Sequence, residues 1–202
     1  GENVSATLSM DEIENSKQYL QDAKIDLTKP LFMISVLGSG VNKTYPLPYM
    51  DKIIDEIVNV TKGQILFNYI PNQIKEAETV YSLCNQESQN HIRLDVFGKN
   101  LRDFLAITHH CNALIGNEGG AVNMAKALDV PTFTIFSPWI LKEAWNMFEN
   151  GTTNVSVHLK DVKPELYTGK SLKVAKQNSQ ALYQIFTPDL ITNKLKSYLR
   201  QF

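Results

Sequence analysis

ALIGNEGGAVNMAKALDVPTFTIF, residues 113–136, decides the fold. It opens on a short apolar run at 113–116 and breaks into a polar, glycine-rich turn. Small residues then run as a helix over 120–128, and after Pro131 a second apolar run, TFTIF, occupies 132–136. Strand, turn, helix and strand in so short a span make one βαβ unit. Parallel neighbours need such a crossover, whereas antiparallel ones need only a hairpin.

The same alternation continues on both sides. LFMISVL (31–37) is a continuous apolar run, as expected of a strand buried on both faces. QILFNYI (64–70) reads as a second strand and HIRLDV (91–96) as a third, more polar one. Helices are expected at 47–62, 72–83 and 100–110. The first of these gathers Ile53, Ile54, Ile57 and Val58 on one face and ends at Gly63. Ahead of them, 9–25 reads as a helix with Ser9 as N-cap and Glu12 three residues on, a capping box. Downstream, 138–148 reads as a helix and NVSVHL (154–159) as an edge strand. Two closing helices are expected at 172–185 and 188–202, the latter with Thr187 as N-cap before Pro188. Repeated strand–helix alternation predicts an α/β protein, a Rossmann-like parallel sheet with helices on both faces. The expected organisation is one domain over 1–202: a linker and leading helix at 1–29, a core at 30–160 and carboxy-terminal helices at 161–202.

Composition fits that reading. The 202 residues, 43% hydrophobic, suffice for one well-buried domain. A net charge of -1 argues against a nucleic-acid partner. The apolar runs are too short to span a bilayer. The opening GENVSATLSMDE lacks the basic-then-apolar pattern of a secretory leader, so a cytoplasmic location is expected. On that basis Cys84 and Cys111 are expected to be reduced thiols, and the Asn-x-Ser/Thr triplets at Asn3, Asn42, Asn59, Asn150 and Asn154 to be chance. Neither cysteines nor histidines show metal-ligand spacing, so no metal or cofactor is expected; His109 and His110, at a helix end, read as structural.

Open parallel sheets bind ligands at the carboxyl ends of their strands, so the turns there carry the chemistry. In the first, Gly38 and Gly40 let backbone approach a ligand closely, Ser39 and Thr44 add hydroxyls, and Lys43 adds a positive charge. That set suits a phosphate; it equally suits a flexible turn with a solvent lysine. In the second, Asn117, Glu118, Gly119, Gly120, Ala121 and Asn123 lie between strand and helix. The glycines leave the first helical N–H groups uncovered, where an anion is favoured. Glu118 places a carboxylate at that mouth, suited to sugar hydroxyls or to capping the helix. The small residues also suit close helix–strand packing. A third turn offers Ser137 to a phosphate or ribose and Trp139 as a stacking surface for a base, or else an N-cap and a core tryptophan. Tyr69, in the turn after the second strand, is a further candidate for contact with the nucleoside.

At this point the stretch IGNEGGAVNMAKALDVPTFTIFSP resembles the signature of glycosyltransferase family 9, the ADP-heptose:lipopolysaccharide heptosyltransferases. The family pattern runs from Gly-Asn-Asp-Thr/Ser-Gly through Ala-Ala-Ala-Leu-Gly-Val-Pro-Thr to a strand. Gly116, Asn117, Gly120, Ala125, Ala127, Leu128, Val130, Pro131, Thr132 and Phe136 match it in register. Lys43-Thr44-Tyr45-Pro46 likewise resembles the family's Lys-Arg-Trp-Pro. The departures are Glu118 for Asp, Gly119 for Thr/Ser, Asn123 for His and Tyr45 for Trp.

The resemblance implies a GT-B architecture, two Rossmann-like domains with the active site between them, of which this chain is the carboxy-terminal, donor-binding half. It implies a nucleotide-sugar donor similar to ADP-heptose. It also implies a lipopolysaccharide, saccharide or lipid-linked saccharide acceptor bound by an amino-terminal domain that supplies the base. Association of the whole protein with the inner face of the bacterial inner membrane would follow from such an acceptor. Lys43 would then stabilise the departing diphosphate together with the N–H groups at Gly119, Gly120 and Ala121, Glu118 would hold sugar or ribose hydroxyls, and no metal would be needed. A sugar-nucleotide epimerase and a non-catalytic nucleotide-binding module fit the same fold pattern.

Overall fold

The computed structural model describes residues 7–140 and 150–202. The helix expected over 138–148 falls outside them from residue 141 onward, as does Asn3. Five parallel strands form one sheet in the order β2-β1-β3-β4-β5. They are β1 (Leu31–Ser35), β2 (Gln64–Asn68), β3 (Ala113–Asn117), β4 (Thr132–Ile135) and β5 (Asn154–Val157). The register runs Phe32 beside Ile65 and Ala113, and Ile115 beside Phe133. The expected α/β sheet is therefore the observed one.

Alternation along the strands divides the core in two. Phe32, Ile34, Ile65, Phe67, Ala113 and Ile115 face one side, with α2 (Leu47–Thr61), α3 (Ile74–Leu83), α8 (Leu172–Gln177), α9 (Ser179–Ile185) and α10 (Asp189–Leu199) contributing to that cluster. Leu31, Met33, Leu66 and Leu114 face the other, under α1 (Met10–Asp22), α5 (Leu101–His109) and α6 (Gly120–Ala127). A strand covered on both faces has no polar side to show, which is why 31–37 is apolar but for the buried Ser35. Chain order runs one way from β1 to β2 and the other way from β1 to β3. The order reverses between β1 and β3, and the crevice outside the carboxyl ends of those two strands is where such sheets bind ligands.

Local signals are realised closely. Ser9 caps α1, accepting from Glu12 N while Glu12 Oε1 accepts from Ser9 N, the full capping box. Other expectations need correction. Residues 91–96 are not a strand. His91 ends a short helix, α4 (Gln86–His91), only Ile92 bridges to Ile65, and Arg93 folds onto Asp95 two residues ahead. The α2 helix ends in a left-handed Lys62 (φ 54), whose N–H donates to Val58 O; Gly63 is needed instead because a Cβ there would press into Phe32. The span 172–185 breaks at Asn178 into α8 and α9. Thr187 makes no side-chain cap on α10. A short α7 (Leu159–Val162) follows β5 and was not expected; His158 caps it through Nδ1.

Candidate functional site

The loop after β1 is built from its own backbone. Gly38 is buried, its N–H donates to Thr44 Oγ1 (3.0 Å), and Thr44 Oγ1 donates to Gly40 O (2.7 Å). A Cβ on Gly38 would lie 2.0 Å from Lys43 O, so the glycine is required by the loop's close return on itself. Gly38 and Thr44, expected to face a ligand, are thus occupied in shaping the loop. Ser39 and Gly40 remain exposed at its tip. Residues Val41–Lys43 form a single 3-10 turn that presents Lys43.

The turn after β3 divides in the same way. Asn117 is buried, 1% exposed, and faces inward: Oδ1 accepts from Tyr45 N (2.7 Å) and Nδ2 donates to Ser35 O (3.0 Å). It ties the first loop to the second, with both ends of its amide engaged inside the protein. Gly116 (φ +138) and Gly119 (φ +151) hold backbone conformations that favour glycine. Gly119, Gly120 and Asn123 are exposed and Ala121 is half-buried at the start of α6. Glu118 is half-buried. Burial pushes its carboxyl above the ordinary carboxylate range, while the charge of Lys43 and a hydrogen bond from Ser137 pull the other way.

Four turns thus meet at one sheet edge, and three of them converge side by side. Lys43 Nζ lies 5.8 Å from the centre of the Trp139 ring, whose other cation, Lys176 Nζ, lies at 5.0 Å. Trp139 Nε1 donates to Asn42 O (2.7 Å), pinning the third turn to the first. Ser137, fully buried, donates to Glu118 Oε1 (3.4 Å). Tyr69 is half-buried at the end of β2 and packs against the core. Beyond Trp139 a cavity of about 120 Å³ is lined by Ile140, His158, Tyr167 and Lys170, among others.

The residues missed from sequence lie in α9. Ser179 Oγ meets Asn42 Oδ1 (2.8 Å), Gln180 Nε2 donates to Val41 O (3.2 Å) and Tyr183 Oη donates to Ser137 Oγ (2.9 Å). Just past the helix, Phe186 O accepts from Tyr45 Oη (2.7 Å). The rings of Tyr45, Tyr183 and Phe186 meet edge-on at about 6 Å. No local signal marks this, because the partners lie some forty to one hundred and forty residues apart. Among the described residues no three of His, Cys, Asp and Glu converge as a metal site would require, and no helix is long and apolar enough to cross a membrane.

Set beside known proteins, residues 3–174 match the pattern of glycosyltransferase family 9 (heptosyltransferase). No curated protein matches the chain in sequence. Among solved structures, ADP-heptose lps heptosyltransferase II of E. coli superposes with a TM-score of 0.63 at 16% identity, over 96% of this chain and 53% of that one. A family 9 glycosyl transferase from Veillonella parvula DSM 2008 gives 0.63 at 10% identity, over 97% and 53%. UDP-GlcNAc 2-epimerase of Methanocaldococcus jannaschii gives 0.54 at 16%, over 86% and 49%. At such identities the likeness is one of fold, and the chain spans about half the length of the structures it matches.

Proposed function

The chain belongs to glycosyltransferase family 9, and we propose that it is the donor-binding half of a sugar transferase. The donor is a nucleoside-diphosphate sugar resembling ADP-heptose. The acceptor, a lipopolysaccharide or other saccharide, is held by a second domain that also carries the base.

One observation carries this reading. At the reversal point of the sheet, Asn117 bonds the loop after β1 to the turn after β3, and Trp139 touches the first and Ser137 the second, which sets Lys43 and the Glu118 carboxylate on one edge. The exposed start of α6 lies directly after that carboxylate. Cation, helix N–H groups and carboxylate are what a sugar diphosphate needs. As the bond between sugar and diphosphate lengthens, negative charge grows on the leaving phosphate. Lys43 and the N–H groups at Gly119, Gly120 and Ala121 oppose that charge, more strongly in the transition state than in the bound donor. Glu118 accepts hydrogen bonds from hydroxyls of the sugar or ribose and so orients the donor. Ser39, Asn123 and Tyr69 border the same edge as contacts for the donor.

Calorimetry tests it. Lys43→Ala is expected to weaken ADP binding by about tenfold, the scale of one lost charge-assisted hydrogen bond. Unchanged ADP affinity removes Lys43 from the diphosphate. A panel of ADP-, GDP- and UDP-sugars then identifies the base, and no binding to any of them overturns the donor assignment.

A further inference from the structure

Glu118 is not held by its own turn. The Ser137 hydroxyl donates to its Oε1, and that serine in turn accepts from Tyr183 Oη on α9. A serine hydroxyl has one proton to give. Because Tyr183 fills an acceptor position of Ser137, the serine proton is turned toward the carboxylate, and the chain of donors ends on Glu118. Ser137 is fully buried and Tyr183 is 1% exposed, so bulk water does not take over either role. Among the described residues Glu118 Oε2 has no hydrogen-bond partner, which leaves that oxygen for a ligand. A phenylalanine at 183 would fill the same core position. The hydroxyl is a polar group at a fully packed site, and among the described residues its one bond leads, through Ser137, to the carboxylate.

We propose that Tyr183 is a positioning residue for sugar recognition, orienting the Glu118 carboxylate through Ser137 and so tying α9 to the donor site. This rests on the reading that Glu118 receives hydroxyls of the donor sugar. Other contacts from α9 hold the basic loop through Asn42 and Val41, so the same helix supports both sides of the donor cleft. Tyr183 reaches the carboxylate side.

The readout is the preference of the chain for ADP-glucose over ADP, measured as a ratio of dissociation constants by calorimetry. Glu118→Gln should reduce this preference by about tenfold, the loss of a hydrogen bond to a charged group. Tyr183→Phe should reduce it by about threefold to tenfold while leaving ADP affinity within about twofold, and Ser137→Ala should do the same. Adding Tyr183→Phe to Glu118→Gln should then cause no further loss, because the two act through one group. A merely structural tyrosine would weaken ADP and ADP-glucose alike, or add its effect to that of Glu118→Gln; either result overturns the proposal. If Glu118→Gln leaves the preference intact, or no preference exists, the reading of Glu118 fails and takes this inference with it. If Glu118→Gln acts and both Tyr183→Phe and Ser137→Ala do not, only the inference fails.

Discussion

Replacing Asn117 by alanine separates the two roles the sequence allows it, ligand contact and internal support. The side chain makes two buried hydrogen bonds, one to Tyr45 N and one to Ser35 O. Alanine removes both bonds: Tyr45 N–H loses its acceptor and Ser35 O loses a donor, each at a buried site. An unsatisfied buried group costs about 1–3 kcal/mol, so the pair costs roughly 4 kcal/mol at mid-range. That is a large part of the 5–15 kcal/mol by which a domain is typically stable, and for a chain of this size it corresponds to a fall in Tm of about 8–16 °C. Urea unfolding followed by circular dichroism gives the free energy, and a thermal melt gives the Tm. Asn123→Ala, on the exposed face of α6, is the control and should stay within about 0.5 kcal/mol. At a temperature well below its melt, Asn117→Ala should still bind ADP. The reasoning would be refuted by a variant that melts within about 3 °C of the parent, a shift of roughly 1 kcal/mol, yet loses ADP, because the amide would then be serving the ligand.

Three further outcomes are expected. Gly116→Ala should lose at least about 3 kcal/mol, from a strained φ of +138 and a Cβ placed 2.4 Å from Ser35 O, while Gly40→Ala, with open space and extended backbone, stays within about 0.5 kcal/mol in the same urea assay. The Glu12 carboxyl is held down to about 2, chiefly by its hydrogen bond from Arg102. Its contribution is present above the ordinary value of 4.5 and lost as pH falls toward 2, so Glu12→Gln should flatten the acid side of a Tm–pH curve. Glu118 carries the opposite sign. Burial raises its folded value, so stability declines as pH rises from 4.5 through that value, and Glu118→Gln should remove this decline; an unchanged slope would mean the carboxyl is not desolvated.

What could be read from sequence follows the range of the interaction. The Ser9–Glu12 capping box is local, and it is found as written. The buried strands announce themselves because both faces are covered. HIRLDV misleads because its apolar residues alternate while its polar ones are engaged off the sheet: Arg93 locally with Asp95, and His91 Nδ1 with the distant Gly63 O. Lys62 misleads because a lysine in a left-handed cap is uncommon, and the glycine beside it looks the better candidate. The candidate residues were legible as a set of turns after strands. Their division into buried supports and exposed groups was not, since it depends on tertiary partners. Thr44 looks like a phosphate hydroxyl until its bonds to Gly38 and Gly40 are seen. Trp139 looks like a free stacking surface until its indole is found bonded to Asn42 and its ring beside two lysines.

The same division explains where this chain agrees with its family and where it departs. The positions that follow the family pattern mostly bear packing: Gly116 presses on Ser35, Asn117 bonds two buried backbone groups, and Ala125, Val130, Thr132 and Phe136 are buried. Any larger or differently bonded residue there disturbs the sheet edge itself. Three of the four departures, Glu118, Gly119 and Asn123, lie on the partly or fully exposed side of the same turn. The fourth, Tyr45, is buried and satisfied within the protein by Phe186 O. Packing therefore accounts for the shared fold, and changes on the exposed side of the turn leave that packing intact. Glu118 extends its carboxylate one methylene farther than an aspartate, and that longer reach is what Ser137 and Tyr183 are placed to steady. Shortening it by Glu118→Asp should lower the melt by no more than about 4 °C, the scale of one lost hydrogen bond, and shift the preference among ADP-sugars, while an equal loss for every sugar would mean that reach plays no part in the choice.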